Sequence, residues 1–243
     1  SCFFCDLRRM FNSKFFEFVK LANKKKIYTA TSTNAHFLTE ENARKTVESG
    51  LNRLIISMDG IGQKEYEAYR VGGKYEKVLD AINNLVRIKK ELKSTTPHII
   101  VQFIVFKSNE HQLDSIKKLC NDLGLDELQF KTAQLYDYKN GNPLMTTIDK
   151  YSRYKKLADG TYTIKNLLHN RCYRMWTGCV ITWDGLTVPC CFDKDADYQL
   201  GELKVHSFKE VWKGEMYNDF RKKVFTNRKG IDICQNCTEG TNE

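Results

Sequence analysis

The sequence predicts an α/β protein with a parallel sheet, followed by a smaller cysteine-rich region. Over roughly the first 133 residues, short apolar strands alternate with amphipathic helices, and the links between them are short. Alternation of this kind is typical of βαβ units, which place successive strands parallel. After Tyr136 the periodicity fades, and cysteines become the dominant feature.

The predicted elements follow one another with clear start and stop signals. Thr39 is expected to cap a helix that Gly50 ends, and Gly124 ends a later one. The predicted helices are 15–26, 39–49, 74–92 and 113–123, and the predicted strands are 27–33, 54–60, 98–106 and 127–133.

Polar side chains follow four successive strands of this sheet. They are Thr33 and Asn34, the segment 57–59, the segment 107–109, and the segment 131–134. Ligand sites of parallel α/β folds lie at the carboxyl ends of the strands. These residues are therefore predicted to line one site.

The C-terminal part is predicted to be built around a hairpin and one helix. Asp184-Gly185 is a turn signal between two short strands in 179–190, and Ser207 begins a helix predicted to run to Val224. Residues 136–164 are interpreted as a linker with turns at 140–143 and 159–160. Cys191, next to Cys190, is expected to face the core, as are Cys120 and Cys179.

Composition excludes several classes of protein. No apolar run approaches the roughly 18 residues of a membrane span, and no signal-peptide pattern is present. Nine cysteines in 243 residues are too sparse for a disulfide scaffold and favour metal ligation in a reducing, cytoplasmic compartment. The net charge of +9 is spread over helices in basic runs of at most three, which favours solvated helix faces over nucleic-acid binding.

Four cysteines near the C-terminus have the spacing of a metal frame. They are Cys172, Cys190, Cys234 and Cys237, and the last two form a Cys-x2-Cys turn. Such a frame suits either a structural zinc ion or an iron–sulfur cluster, because both accept four thiolates. A second Cys-x2-Cys, Cys2 and Cys5, opens the sequence.

Longer motifs resemble those of the radical S-adenosylmethionine (SAM) enzymes with a C-terminal SPASM or twitch domain. The C-terminal match comprises Cys172, the Asp-Gly hairpin with Gly-x4-Cys ending at Cys190, Leu200-Gly201, a Trp-bearing helix with Arg, and the Cys-x2-Cys at Cys234. SMDG (57–60) and YRVGGKYEKVLDAINNL (69–85) match the middle of the family's barrel.

This resemblance implies a fold and two iron–sulfur sites. The expected fold is α/β, a partial (β/α)6 barrel like an open TIM barrel, with a small hairpin-plus-helix domain carrying an auxiliary [4Fe–4S] cluster. Cys2 and Cys5 are expected to bind the SAM-cleaving [4Fe–4S] cluster. The four C-terminal cysteines would close the auxiliary one, because four thiolates leave no iron open.

The resemblance also implies a SAM pocket. Ser57, Asp59 and Arg70 occupy positions where the family contacts SAM, and Arg70 would form a bidentate pair with the SAM carboxylate. Thr33 and Asn34 are further candidates for this pocket.

The N-terminal stretch departs from the family pattern. The family loop has a third cysteine before the two matched by Cys2 and Cys5, so it is expected to precede Ser1. A helix, a strand and the Gly-Glu-Pro motif do not fit between Cys5 and Phe15, which predicts a missing segment near Met10–Phe11. An intact mass of 28.4 kDa would contradict that prediction.

The expected organisation is a radical SAM core over 1–135, a linker over 136–164 and a SPASM/twitch domain over 165–243. The expected function is a radical SAM oxidoreductase that acts on a ribosomally made peptide or a small molecule such as an aminocyclitol or sugar, with flavodoxin or ferredoxin as electron donor. Peptide maturation is preferred. The alternative is a structural zinc protein that is basic, associates with RNA and performs no SAM chemistry.

Overall fold

The computed structural model describes residues 2–4 and 14–238, which form two compact units. The first contains residues up to Ala133 together with 142–152, and the second contains 134–141 together with the chain from Arg153 onward. Among the described helices, none is both long enough and apolar enough to cross a bilayer.

The first unit is a parallel sheet whose strands follow chain order. Its strands are Cys2–Phe4 (β1), Thr29–Thr33 (β2), Arg53–Ser57 (β3), His98–Val105 (β4) and Glu127–Thr132 (β5). They pair in the order β1-β2-β3-β4-β5, and every pair is parallel. Sequential order is that of a barrel, whereas a doubly wound sheet reverses direction part-way. The predicted α/β class and parallel strands are confirmed.

Helices cover one face of this sheet. They are Phe15–Lys24 (α1), Glu40–Glu48 (α2), Gln63–Tyr69 (α3), Tyr75–Glu91 (α4) and Leu113–Asp122 (α5). Thr39 caps α2 as predicted, because its side chain accepts a hydrogen bond from the Asn42 amide at 3.3 Å. Helix α3 was not predicted; it is only two turns long and lies between the SMDG and YRVGG motifs.

The hydrophobic core of the first unit lies between the helices and the sheet. Alternate residues of β3 and β4 enter it, namely Leu54, Ile56, Ile99, Val101, Phe103 and Val105. They pack against the buried face of α4, which includes Val78, Ile82 and Leu85. Because side chains alternate along a strand, the opposite face of the sheet carries the intervening residues.

The second unit contains two small antiparallel sheets and four helices in its described part. The strands are Tyr154–Lys156 (β6), Tyr162–Ile164 (β7), Val180–Ile181 (β8), Leu186–Val188 (β9) and Gly201–Glu202 (β10), and the helices are Arg174–Thr177 (α6), Phe208–Lys213 (α7), Glu215–Asn227 (α8) and Asp232–Gln235 (α9). The predicted hairpin at Asp184-Gly185 is present, with Gly185 at φ +93°. A side chain at that φ would be strained.

Three local expectations differ from the structure. The single helix predicted over 207–224 is two helices, because the backbone of Gly214 is extended (φ −66°, ψ 165°). The segment interpreted as a linker contains the β6–β7 hairpin, which turns at Asp159-Gly160. Cys191 is exposed rather than in the core, because the chain bends after β9 and strand alternation no longer applies.

Candidate functional site: polar residues of the parallel sheet and a cysteine cavity

The face of the sheet opposite the helices carries a polar row at the level where β3 ends. Ser57, Gln102 and Gln129 stand side by side on β3, β4 and β5. The Gln102 amide donates to Gln129 Oε1 at 3.3 Å, and both glutamines are half-buried. A parallel sheet normally carries apolar residues on both faces, so this polar row indicates a ligand-facing surface.

The predicted candidates Thr33 and Asn34 shape the turn after β2. Thr33 lies beside Ile56 in register, which brings it to the same edge as Ser57. Thr33 Oγ1 accepts from the Ala35 amide at 3.1 Å, and Asn34 Oδ1 accepts from the His36 amide at 3.2 Å. Both side chains therefore order this turn.

His36 ties this turn to the start of α4. Its Nε2 accepts from the Lys74 amide at 2.8 Å, so Nδ1 carries the proton that reaches the Asn34 carbonyl at 2.9 Å. This assigns one neutral tautomer from the hydrogen-bond partners.

Asp59 and Arg70 form a buried ion pair at the end of β3. The Asp59 side chain is 0% exposed, and Arg70 Nη2 and Nε lie 2.5 and 2.6 Å from its Oδ2. The other oxygen, Oδ1, accepts from the Ile104 amide at 2.7 Å. Burial raises the pKa of Asp59, while Arg70 and the Ile104 amide oppose that shift. Asp59 thus holds Arg70 and links β3 to β4.

Asn109 completes this link. Its side-chain amide donates to the Asp59 and Ile104 carbonyls, each at 2.9 Å, and its oxygen accepts from the Phe106 amide at 2.7 Å. With these bonds formed and the residue 1% exposed, Asn109 is a structural residue. Ser57 differs, because its hydroxyl has no hydrogen-bond partner among the described residues and remains available to a ligand.

Gly60 explains why the SMDG motif ends in glycine. An added Cβ would lie 2.5 Å from the Glu65 carbonyl carbon and from the Tyr66 nitrogen. The first turn of α3 therefore packs directly on the backbone after β3, and this close contact positions Arg70 at the far end of the helix.

The four C-terminal cysteines meet in one cavity of the second unit. Cys172, Cys190, Cys234 and Cys237 all line it, together with apolar side chains of Met175, Phe192, Phe220, Val224 and Ile233 and the two arginines Arg174 and Arg228. The structure therefore brings together residues up to 65 positions apart (237 − 172).

Hydrogen bonds fix the Cys-x2-Cys turn within this unit. The Asn236 side chain donates to the Leu135 carbonyl at 2.8 Å and accepts from the Tyr154 hydroxyl at 3.1 Å. Arg153 Nη1 donates to the Asn236 carbonyl at 3.0 Å. These contacts explain why the β6–β7 hairpin lies beside the cysteines, which the sequence pattern did not indicate.

The donor set fits an iron–sulfur cluster. Four cysteine sulfurs and a largely apolar wall surround one cavity, and thiolates are the usual protein ligands of such clusters. Because each thiolate of a cluster binds a different iron, four of them leave no iron open.

Burial keeps the thiols of Cys190 and Cys234 protonated until a metal binds. It raises the pKa of Cys190 to about 12 and that of Cys234 to about 11. Ligation must therefore release protons. Cys120, in the core of the first unit, also has its pKa raised to about 11 by burial, and it has the packing role predicted for it.

Some predicted site residues are not placed by the structure. Cys5 lies outside the described residues, as does the segment near Met10–Phe11, and Cys2 is described only as part of the β1 backbone. Sequence reasoning missed Gln129 and Arg228. For Gln129 a signal existed, the polar residue within an apolar strand, whereas Arg228 follows a helix with no distinguishing pattern.

Comparison with known proteins found two family models that match this chain. Residues 1–120 match the radical SAM superfamily, and residues 172–238 match the SPASM iron–sulfur cluster-binding domain. Among solved structures, anSMEcpe with bound AdoMet has a TM-score of 0.63 at 18% identity over 97% of this chain and 70% of that one. Streptococcus suis SuiB has a TM-score of 0.63 at 12% identity, covering 86% and 54%. At these identities the likeness concerns the fold.

Two curated relatives have related sequences. A tungsten-containing aldehyde ferredoxin oxidoreductase cofactor-modifying protein of Pyrococcus furiosus is 24% identical over 86% of this chain and 65% of its own length. The PqqA peptide cyclase of Bradyrhizobium diazoefficiens is 28% identical over 59% of this chain and 37% of its own. The chain thus spans less than two thirds of either relative. It belongs to the radical SAM superfamily and carries a SPASM-type iron–sulfur cluster-binding domain.

Proposed function

We propose that this protein is a radical SAM oxidoreductase with one auxiliary [4Fe–4S] cluster. The observation that carries the proposal is the cavity in which Cys172, Cys190, Cys234 and Cys237 converge. Four thiolates saturate a cluster, which then serves electron transfer. In this proposal residues 1–135 form the radical SAM core, 136–164 the connection, and 165–243 the auxiliary-cluster domain.

Cys2 and Cys5 are proposed to supply thiolates to the SAM-binding cluster. When bound, that cluster and SAM supply a 5′-deoxyadenosyl radical able to abstract a hydrogen atom from the substrate. Of the residues proposed to contact SAM, Ser57 presents a buried hydroxyl beside the Gln102–Gln129 row. Thr33 and Asn34 shape the adjacent turn.

Arg70 is proposed to meet the SAM carboxylate from a position set by Asp59. Its side chain is 20% exposed, and Nε and Nη2 bind the Asp59 carboxylate, which leaves Nη1 for a second carboxylate. Asp59 is accordingly proposed to contribute to SAM binding through Arg70. A planar guanidinium can serve two carboxylates through different N–H groups.

A peptide is the proposed substrate, and the protein is proposed to work in the cytoplasm with flavodoxin or ferredoxin as electron donor. A peptide cyclase stands among the relatives, and one solved neighbour was determined with AdoMet and the Kp18Cys peptide. A small molecule such as an aminocyclitol or sugar is the second candidate. With either substrate, the auxiliary cluster is proposed to accept an electron from the substrate radical, so that the net reaction is an oxidation.

The test is anaerobic reconstitution of the purified protein with iron and sulfide, followed by reduction with dithionite in the presence of SAM. We expect a brown protein that forms 5′-deoxyadenosine. Cys5→Ala should abolish 5′-deoxyadenosine formation, whereas Cys191→Ala, which changes an exposed cysteine, should leave it unchanged. A colourless protein that retains stoichiometric zinc and leaves SAM intact would instead support the structural zinc alternative.

A further inference from the structure

Arg228 is a buried cation in the cysteine cavity. It lies in the turn that follows α8, is 1% exposed, and is among the largest fully buried side chains of the described chain. It lines the same cavity as the four cysteines. Burying an arginine costs considerable desolvation energy unless its N–H groups and charge are satisfied, so its position requires an explanation.

Two edges of the guanidinium point to the cysteine frame. Nη1 donates to the carbonyl of Arg171, the residue before Cys172, at 2.7 Å. Nη2 lies 3.5 Å from Cys237 Sγ, a distance suited to an N–H···S hydrogen bond. The Arg228 amide is itself held by Asn170 Oδ1 at 3.0 Å. The guanidinium charge of Arg228 is therefore held beside the Cys237 sulfur and next to the residue that precedes Cys172.

The surroundings strengthen the effect of this charge. Much of the cavity wall is hydrocarbon from Met175, Phe220, Val224 and Ile233. In such a low-dielectric region a hydrogen bond and a neighbouring charge act more strongly than they would in water. Hydrogen bonds to the sulfurs and net charge are two of the factors that set the reduction potential of an iron–sulfur cluster.

We propose that Arg228 is a positioning residue that raises the reduction potential of the auxiliary cluster by donating to the Cys237 sulfur and placing a buried positive charge at the cluster. This inference rests on the proposed function, because it requires the cluster at the four cysteines. One-electron reduction adds one negative charge to the cluster and its thiolates. A fixed guanidinium stabilises that reduced form and makes the cluster a better electron acceptor for a substrate radical.

The test is a potentiometric titration of the reconstituted protein followed by electron paramagnetic resonance. Dithionite supplies the electron, and a Cys2→Ala/Cys5→Ala background leaves the auxiliary cluster as the reporting centre. Arg228→Met should lower the midpoint potential by at least the equivalent of a tenfold change in the reduction equilibrium, about 59 mV for a one-electron couple. Arg228→Lys, which keeps the charge and loses the planar fork, should give a smaller shift in the same direction.

Lys222→Met is the matched control, because it removes one positive charge from an exposed position of α8 and should leave the potential unchanged. An unchanged potential in Arg228→Met with full iron content would overturn the inference. If Arg228→Met takes up no cluster, Arg228→Lys decides: a lowered potential supports the inference, and an unchanged one assigns Arg228 to structure alone. A background protein without any cluster would instead refute the proposed function.

Discussion

Arg221 offers the sharpest test of what holds the second unit together. This arginine of α8 is 5% exposed and is surrounded by the rings of Trp176, Trp212 and Tyr217, whose centroids lie 4.6, 4.6 and 4.1 Å from its guanidinium carbon. Nε donates to the Met175 carbonyl at 3.0 Å, and Nη1 donates to the Trp212 carbonyl at 2.9 Å. The charge thus fastens α6 and α7 to α8.

Arg221→Met removes these contacts, but it also removes the free-energy cost of burying a positive charge. Two carbonyls would lose their donor, at about 1–3 kcal/mol each, and each cation–π contact contributes about 0.5–2 kcal/mol. Against this, burial already lowers the pKa of Arg221, and its Nη2 has no hydrogen-bond partner within the described residues. We expect a net loss of about 3 kcal/mol in the free energy of unfolding of this unit. For a unit of about 100 residues, that is about 12–24 °C in Tm.

Tryptophan fluorescence can measure this loss in the second unit alone. All three tryptophans lie there, and two of them contact Arg221. Trp183 is 96% exposed, so a Trp183→Phe background removes its constant signal. Urea unfolding would compare Arg221→Met with Lys222→Met, an exposed change on the same helix expected to stay within about 0.5 kcal/mol. If the two variants unfold at the same urea concentration, the three aromatic rings around Arg221 do not stabilise the unit.

Three further predictions concern the first unit. Asp59→Asn should lower the free energy of unfolding by about 3 kcal/mol, because it leaves a partly buried arginine without its carboxylate. Urea unfolding followed by circular dichroism should show a smaller loss for Asp80→Asn, which changes an exposed residue. Equal losses in the two variants would contradict this prediction. Glu110 is pushed to a higher pKa by burial, but hydrogen bonds from Thr146 and Thr147 outweigh this and lower its pKa. Its folded pKa therefore lies below the unfolded value, so attachment of 146–148 is stabilised above the unfolded pKa of about 4.3 and lost as pH falls below that value and through the lower folded pKa. Hydrogen exchange normalised for intrinsic rates should show protection of 146–148 falling over that range, and Glu110→Gln should abolish the pH dependence. Gly60→Ala should lower the free energy of unfolding by more than about 2 kcal/mol, since the added Cβ would overlap the backbone of α3. In Gly72→Ala the added Cβ meets no atom within 4 Å, so this variant should lose only the strain energy of its positive φ. Equal melting temperatures of the two variants would refute the close-packing argument.

Local sequence signals predicted most of the helices and strands, but they did not predict the break at Gly214 or helix α3. Thr39, Gly50 and Gly124 mark helix ends through caps and breaks that depend on a few adjacent residues. Gly214 breaks the predicted helix, because its extended backbone ends α7 while its carbonyl accepts the first bond of α8 from the Asn218 amide. Helix α3 was too short for periodicity to reveal.

The candidate site divides in the same way. Cysteine spacing by itself determined that four thiols could share one centre, since that conclusion needs only residue types and intervals. Whether the centre suits an ion or a cluster was open in the sequence, and the match of residues 172–238 to an iron–sulfur cluster-binding domain favours a cluster.

The sequence by itself determined the α/β class, the strand-end location of polar residues and the cysteine frame, because periodicity and spacing are local properties. Only the tertiary structure decided that Asp59 holds Arg70, that Gln129 stands beside Gln102, and that Arg228 reaches Cys237. Each of these contacts depends on how separate segments converge, and convergence is set by packing of the whole unit rather than by any neighbouring residues.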